Sequence, residues 1–146
     1  MNNVKQFLYS IRDETAEIRN VQNRINELEC QASGLKAITY DKAKVQTSPQ
    51  DSMTEYVIAL EAYRKQLVHK GARLLSKRRQ AQDMIDKLSD PMERQVLELY
   101  FLSDDNPRMS SVAECMHYSE RWTWSIYKTA LYHLRQCTSV TIDDIL

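Results

Sequence analysis

Apolar residues recur along the N-terminal part of the chain with the spacing of a coiled-coil helix. Counted in heptads from Val4, the a and d positions are apolar with a single exception, Glu14. The a positions are Val4, Ile11, Ile18, Ile25 and Ala32, and the d positions are Phe7, Glu14, Val21, Leu28 and Leu35. An apolar period of about 3.5 residues predicts a long helix that packs against a partner helix.

A second apolar period follows a polar segment, residues 39–52, in which Thr, Ser and Asp collect around Pro49. Ser52 and Glu55 form a capping-box pattern just ahead of this period, which predicts a helix start. Its d positions are Met53, Leu60, Leu67, Leu74, Ala81 and Leu88, and its a positions are Val57, Arg64, Gly71, Arg78 and Ile85. Two long helices joined by a short loop predict an antiparallel helical hairpin over residues 1–89, with its loop at about 39–52.

The two apolar periods also predict a register for the hairpin. Aligning them in antiparallel sense places Ile25 beside Leu67 and the acidic exception, Glu14, beside Arg78. A buried ion pair adds little net stability, but the loss of one partner is costly. We therefore expect Glu14 and Arg78 to fix the hairpin register.

A helix-turn-helix pattern follows the hairpin, within residues 90–137. Asp90, Pro91 and Glu93 form a helix start in which Asp90 is the N-cap and Glu93 reaches back. The helix that they open extends over residues 92–102, and residues 104–107 end it. Ser111 and Glu114 cap a short helix that ends near residue 116, a turn follows, and Ser119 caps a last helix to about residue 136. The acidic and apolar tail, residues 138–146, receives no assignment.

Two faces of the last helix carry different residue types. Thr123, Tyr127, Ala130 and Leu134 share one face, which should pack on the two preceding helices. A second face presents Arg121, Ser125, Lys128, Tyr132 and Arg135, and Trp124 borders it. In a DNA-recognition helix, Arg121, Trp124 and Ser125 would reach base edges, while Lys128 and Arg135 would reach phosphates. Ser119, at the start of the helix, is a further predicted DNA contact. The alternative is an ordinary amphipathic helix with an exposed polar stripe.

Composition narrows the classes of function. The chain has 146 residues and two glycines, where average usage predicts about ten, so Gly-rich phosphate loops and β-barrels are nearly excluded. Three scattered cysteines imply no disulfide framework. Apolar runs are far shorter than a membrane span, and the N-terminus lacks the apolar stretch of a secretory signal. These features predict a soluble intracellular protein without a membrane partner.

Charge is balanced overall, 20 basic against 20 acidic residues, but it is divided along the chain. Residues 53–90 carry eight basic and five acidic side chains, whereas residues 91–146 carry five basic and eight acidic ones. Since DNA affinity depends on phosphate neutralisation, the second hairpin helix should supply part of it. The candidate phosphate contacts there are Lys70, Arg73, Lys77 and Arg79. The alternative for each is a solvated helix face.

Metal and catalytic chemistry have little support in the sequence. Cys115-x-His117 and His133-x3-Cys137 could supply four zinc ligands, but one intervening residue is tighter than in usual zinc sites. The chain has no HExxH motif, no Gly-flanked serine elbow and no carboxylate pair with a histidine partner. We therefore predict a protein that is not an enzyme and uses no metal, cofactor or small-molecule substrate.

The segment DPMERQVLELYFL…MSSVAECMHYSERWTWSIYKTALYHLR resembles region four of bacterial sigma factors. More closely, it resembles small phage-encoded transcriptional regulators of the ArpU and RinA type, which place a long helical part ahead of such a domain. Tyr118, Ser119 and Arg121 match their "YSxR" helix start, and their "KxALxxL" ending is matched by Lys128, Ala130, Leu131 and Leu134. His117 departs from the turn glycine common in such motifs and should adopt a left-handed conformation.

The resemblance implies a phage or prophage transcriptional regulator that binds double-stranded DNA in the cytoplasm of a bacterial host and contacts host RNA polymerase. One alternative is a small DNA-packaging (terminase) subunit, although such subunits usually place the DNA-binding part first. Another is a coiled-coil adaptor that binds a protein such as RNA polymerase rather than DNA. Apolar residues on the second hairpin helix predict a homodimer or packing on the C-terminal helices: Tyr56, Tyr63, Val68 and Leu75.

Overall fold

A computed structural model of the chain is all-α. It describes the backbone of residues 3–41 and 49–145 and the side chains of residues 3–34 and 53–138. The described residues form the helices α1 (Asn3–Asp41), α2 (Pro49–Ile85), α3 (Pro91–Phe101), α4 (Met109–Met116) and α5 (Glu120–Ile145). The long helices α1 and α2 pack together like a hairpin, as their apolar periods predict.

The chain divides into two compact units, and the long hairpin helices contribute to both. The hairpin unit comprises residues 17–72, and the C-terminal unit comprises residues 1–16 together with residues 73–146. The first turns of α1 and the end of α2 therefore belong to the same unit as the three shorter helices.

The hairpin unit has a small apolar core. Val21, Ile25 and Leu60 are buried, and Leu28, Tyr63 and Leu67 pack against them partly buried. The predicted neighbours Ile25 and Leu67 thus share one cluster. Two exposed ion pairs join its helices, Arg64 to Glu29 at 3.0 Å and Lys70 to Glu17 at 3.2 Å. Ion pairs in this setting add little, so burial of the apolar cluster stabilises the unit.

The C-terminal unit has a larger core to which all five helices contribute. Helices α3, α4 and α5 pack on one another in all three pairings. The largest fully buried side chains come from every helix: Leu8 and Ile11 of α1, Ile85 of α2, Val96, Leu97 and Phe101 of α3, Val112 of α4, and Thr123 and Leu134 of α5.

Two details of the predicted packing surface are wrong. In the first turns of α1, Leu8 and Thr15 are buried, whereas the predicted d positions Phe7 and Glu14 are half-buried. This part of α1 lies in the C-terminal unit, whose packing selects a face one residue away from the coiled-coil position. The predicted a position Val57 of α2 is 49% exposed.

The predicted Glu14–Arg78 pair does not form. Glu14 accepts from Lys77 at 2.8 Å and lies 3.5 Å from Arg73, while Arg78 donates to Asp104 at 2.6 Å and to Thr15 at 3.2 Å. Oε2 of Glu14 and Nε of Arg78 are buried without a described hydrogen-bond partner. The heptad register correctly brings Glu14 close to the basic residues of α2 near Arg78. Because lysine and arginine side chains are long, Glu14 pairs with the neighbouring Lys77 and Arg73 instead.

The hairpin helices and α4 begin or end at other residues than the sequence predicts. Helix α1 continues to Asp41 and α2 starts at Pro49, so Ser52 lies inside α2 and the predicted capping box does not start it. The rest of the predicted loop, residues 42–48, lies outside the described residues. Helix α4 begins at Met109, ahead of the predicted cap Ser111, and its N-cap residue Arg108 makes no side-chain cap bond.

The ends of α3 agree closely with the sequence, whereas α5 is longer than predicted. Asp90 caps α3 by accepting from the Met92 amide at 2.9 Å. Glu93, predicted to reach back to this cap, instead contacts α5. Helix α5 runs on to Ile145, so the backbone of the unassigned tail is helical as far as that residue. Among the described helices, none combines the length and the apolar character that crossing a bilayer requires.

Candidate nucleic-acid interface

The turn between α4 and α5 has the left-handed residue that the sequence predicts at its glycine-like position. His117 has φ 61° and ψ 37°. Its amide donates to the Glu114 carbonyl at 3.2 Å, and the Tyr118 amide donates to the Ala113 carbonyl at 3.0 Å. These bonds satisfy the last carbonyls of α4 and close it as a Schellman-type cap. The prediction of a non-glycine left-handed turn is confirmed.

Ser119 caps the start of α5, also as predicted. Its Oγ accepts from the Trp122 amide at 3.1 Å, and its carbonyl accepts from the Thr123 hydroxyl at 2.9 Å. Hydrogen bonds from one backbone amide and one side-chain hydroxyl to Ser119 therefore fix the first turn of α5. A fixed first turn gives the side chains that project from it a defined direction.

One face of α5 forms part of the core. Thr123, Ala130 and Leu134 are fully buried, and Tyr127 and Leu131 are nearly so. Their predicted neighbours Val96, Tyr100, Val112 and Met116 on α3 and α4 are buried as well. The predicted amphipathic division of α5 is confirmed, and the opposite face is presented outward.

The side chains predicted to contact DNA lie on that outward face, except for Trp124. Ser119, Arg121, Ser125, Lys128 and Arg135 are exposed. Ser125 Oγ donates to the Arg121 carbonyl at 3.2 Å, which leaves its oxygen able to accept a further bond. In the described part of the chain, the Arg121 guanidinium and the Lys128 ammonium have no ion-pair or hydrogen-bond partner. These two cations are available to an external acceptor.

The two tryptophans occupy different environments, as their positions on the helix require. Trp124 is half-buried, with its ring 5.2 Å from that of Tyr127 and 6.1 Å from that of Tyr100. Trp122 is 55% exposed, beside Arg121 in the first turn of α5. Trp124 therefore lies at the edge of the core, and Trp122 joins Tyr132 as an exposed aromatic residue of α5. The sequence pattern points to Trp124 instead.

An aromatic cluster that the sequence did not reveal fixes α5 to the start of α1. The Tyr9 hydroxyl lies 2.9 Å from that of Tyr127 and 3.5 Å from that of Tyr100. Arg12 stacks over the Tyr100 ring at 4.0 Å and donates to the Tyr100 carbonyl at 2.5 Å. Asn106, another non-glycine residue with positive φ, donates to the Arg12 carbonyl at 2.8 Å. The start of α1 thus holds Tyr100 and Asn106, about ninety positions further along the chain, and Tyr127 of α5, 118 positions along.

Burial makes the tyrosines of this cluster weaker acids than an exposed tyrosine. Desolvation raises the pKa of Tyr100 to about 12, from its ordinary value of 10.0. Desolvation likewise raises the pKa of Tyr9 and of Tyr127. The hydroxyls therefore remain protonated and hydrogen-bonded through the physiological pH range.

Most of the α2 residues that are predicted to contact DNA phosphates form ion pairs with carboxylates of α1. In the C-terminal unit, Lys77 and Arg73 face Glu14, and in the hairpin unit Lys70 pairs with Glu17. Arg79 is exposed and has no described partner. The positive charge of α2 is thus largely compensated within the chain, and Arg79 is the predicted contact there that keeps an unpaired charge in the described residues.

The residues of the zinc alternative do not converge. His133 Nδ1 lies 2.8 Å and 3.0 Å from the two oxygens of the buried Glu93 carboxylate, and Cys115 and His117 are exposed on and after α4. No group of three or more His, Cys, Asp or Glu side chains suited to a metal ion occurs among the described residues. His133 instead satisfies a carboxylate that α3 buries.

No protein-family model, curated protein or solved structure significantly matches the chain.

Proposed function

We propose that the protein is a sequence-specific, DNA-binding transcriptional regulator of the phage or prophage type. It acts without catalysis in the cytoplasm of a bacterial host, with α5 in the major groove of double-stranded DNA. The observation that carries the proposal is the exposed Arg121 guanidinium, unpaired in the described part of the chain, in the capped first turn of a helix whose other face is buried. This is the arrangement by which helix-turn-helix proteins present a base-reading side chain.

The outward face of α5 divides into base-reading and phosphate-binding parts. Arg121 has the donor geometry for O6 and N7 of a guanine. Ser125, whose hydroxyl proton is donated to the Arg121 carbonyl, can accept from the amino group of an adenine or a cytosine. Trp122, rather than Trp124, supplies the apolar surface that a thymine methyl group would contact. Lys128 and Arg135, about two and four turns beyond Arg121, reach phosphates, and Arg79 on α2 adds a further cation.

The direct test is selection of bound duplexes from random DNA with the purified full chain. The proposal predicts enrichment of a defined motif that contains a guanine and at least one thymine. A pool that stays random after several rounds, with no salt-sensitive binding at low ionic strength, would contradict it. Replacing thymine by uracil in the selected motif removes only the methyl group and tests the Trp122 contact separately.

Salt dependence tests the assignment of phosphate contacts. Among the predicted phosphate contacts, Lys128 and Arg79 have no partner in the described residues, and they predict a slope of log K against log salt of about −2 per protomer. Arg79→Ala should reduce this slope by about one and weaken specific and random DNA alike. A slope of about −5 would show that the other predicted contacts also leave their partners on binding: Arg135, Lys70, Arg73 and Lys77.

The charge of residues 91–146 favours a second candidate, a protein-binding adaptor. Eight acidic residues against five basic ones disfavour DNA, and the exposed rings of Trp122 and Tyr132 suit a protein contact. Binding to purified host RNA polymerase that is lost in Trp122→Ala, with no binding to DNA, would support the adaptor in place of the regulator.

A further inference from the structure

In the hairpin unit, one side of α2 exposes apolar and charged side chains whose order is the same in both directions along the helix. Val68 is 73% exposed and Ile58 is 62% exposed. Between them on the same side of the helix lie two exposed charged residues, Glu61 and Lys65. At about 100° per residue these positions fall within about 80° of one another, on the side of α2 away from the core residue Leu60.

The order of these residues is symmetric about the level of Tyr63. Ile58 and Val68 lie equally far on either side of this level, and Glu61 and Lys65 do as well. A second α2 helix laid antiparallel across this point therefore places Ile58 of one copy against Val68 of the other. The same two-fold axis places each Glu61 against the partner's Lys65.

Glu61 and Lys65 are free to make these pairs. Neither has an ion-pair or hydrogen-bond partner among the described residues. In a two-fold interface every such contact occurs twice, so the surface is complementary to itself in both charge and apolar character.

The core of the hairpin unit supports the same conclusion. It buries only Val21, Ile25 and Leu60 among its described residues, because two helices alone enclose little volume. Two hairpins packed together would form a four-helix arrangement with a core on both sides of α2. Exposed apolar residues that gain a partner in this way are a common basis of homodimers.

We propose that this surface, formed by Ile58, Glu61, Lys65 and Val68, joins two copies of the chain through antiparallel contact of their α2 helices. The occupant is a second copy because the surface carries its own complement in both charge and apolar residues. This proposal does not depend on DNA binding, although a dimer would present two recognition helices to two half-sites.

The test is the mass of the full chain in solution, measured by sedimentation equilibrium over a range of concentrations. Wild type should be dimeric, and Val68→Glu should raise the dimer dissociation constant by about a hundredfold. Gln66→Glu, on an exposed position of α2 away from the surface, is the matched control and should leave the mass unchanged. Circular dichroism of each variant establishes that the helices are retained.

Charge reversal distinguishes the antiparallel contact from any other association. Glu61→Lys alone and Lys65→Glu alone should each weaken the dimer about tenfold, because each creates like-charge neighbours twice. The double variant restores both pairs and should return to the wild-type mass. A monomeric wild type, a larger ring, or single and double variants that all behave alike would overturn the proposal. Because the measurement contains no DNA, its failure leaves the proposed regulator untouched.

Discussion

All of the largest fully buried side chains described in the structure lie in the C-terminal unit. The buried residues of the hairpin unit, Val21, Ile25 and Leu60, each keep 7–8% of their surface exposed. Both units use the same two long helices. The difference is that three short helices complete the core in one unit, while in the other α1 and α2 have only each other. The core of the C-terminal unit therefore holds the outward face of α5 in place, whereas the hairpin unit leaves apolar side chains of α2 exposed, where the proposed second copy would cover them.

Deleting the same atoms in the two units should give the largest contrast. Leu97→Ala removes a fully buried side chain from the C-terminal unit and should lower the free energy of unfolding by about 4 kcal/mol. Leu67→Ala removes a partly buried one from the hairpin unit and should cost about 1–2 kcal/mol. Urea titration followed by circular dichroism measures both. Equal losses would show that the hairpin core is as closely packed as the other.

A matched pair of arginines on α1 tests how far the cluster around Tyr100 stabilises the C-terminal unit. Arg12 stacks over Tyr100 at 4.0 Å and donates to two carbonyls, while Arg24 lies 5.9 Å from the ring of Tyr63 and is exposed. Arg12→Ala should cost about 2 kcal/mol because it leaves carbonyls without donors, and Arg24→Ala less than about 0.5 kcal/mol. If the order were reversed, the cluster around Tyr100 would not anchor α1.

The tyrosine cluster predicts a dependence of stability on alkaline pH. Its pKa values are raised in the folded state, so the unfolded state loses protons first as the pH rises above 10. The stability contributed by the protonated cluster is complete below pH 10 and should fall, on the order of 1 kcal/mol, between pH 10 and about 12. Tyr100→Phe should flatten this fall in urea titrations at successive pH values. An identical slope in the variant would contradict the assignment.

The smallest effect should be a gain, in the hairpin unit. Gly71 lies inside α2, and a Cβ added there would have nothing within 4 Å. Gly71→Ala should stabilise the chain by about 0.5–1 kcal/mol, since alanine loses less backbone entropy in a helix. Gly34→Ala in α1 is a second variant with equally open surroundings. Destabilisation in thermal melts would show that α2 packs more tightly around Gly71 than the structure has it.

Helix caps, turns and buried helix faces could be predicted from the sequence, because each depends on residues that are close together along the chain. The left-handed turn at His117, the cap at Ser119 and the buried face of α5 follow from helix period and from the geometry of helix ends. These are short-range effects that a sequence displays directly. The hairpin followed in the same way from the apolar period of its helices.

Contacts between distant residues could not be predicted in the same way. Helix geometry shows that Trp122 and Trp124 differ, but only the position of Tyr100 and Tyr127 determines which of them is covered. The partners of Glu14 depend on how far lysine and arginine side chains extend across α2. The exposure of Val57, a predicted seam position, is likewise not contained in the heptad pattern. Tertiary packing decides each of these.

The claim that α5 reads DNA sequence is tested most directly by the affinity of the full chain and of Arg121→Ala for a selected duplex and for random DNA. Arg121→Ala should lose about 1–3 kcal/mol on the selected duplex and much less on random DNA. Arg24→Ala, at an exposed arginine of the hairpin unit outside both proposed surfaces, is the matched control and should leave both affinities unchanged. Equal losses on both DNAs, or no loss on either, would contradict base reading by Arg121.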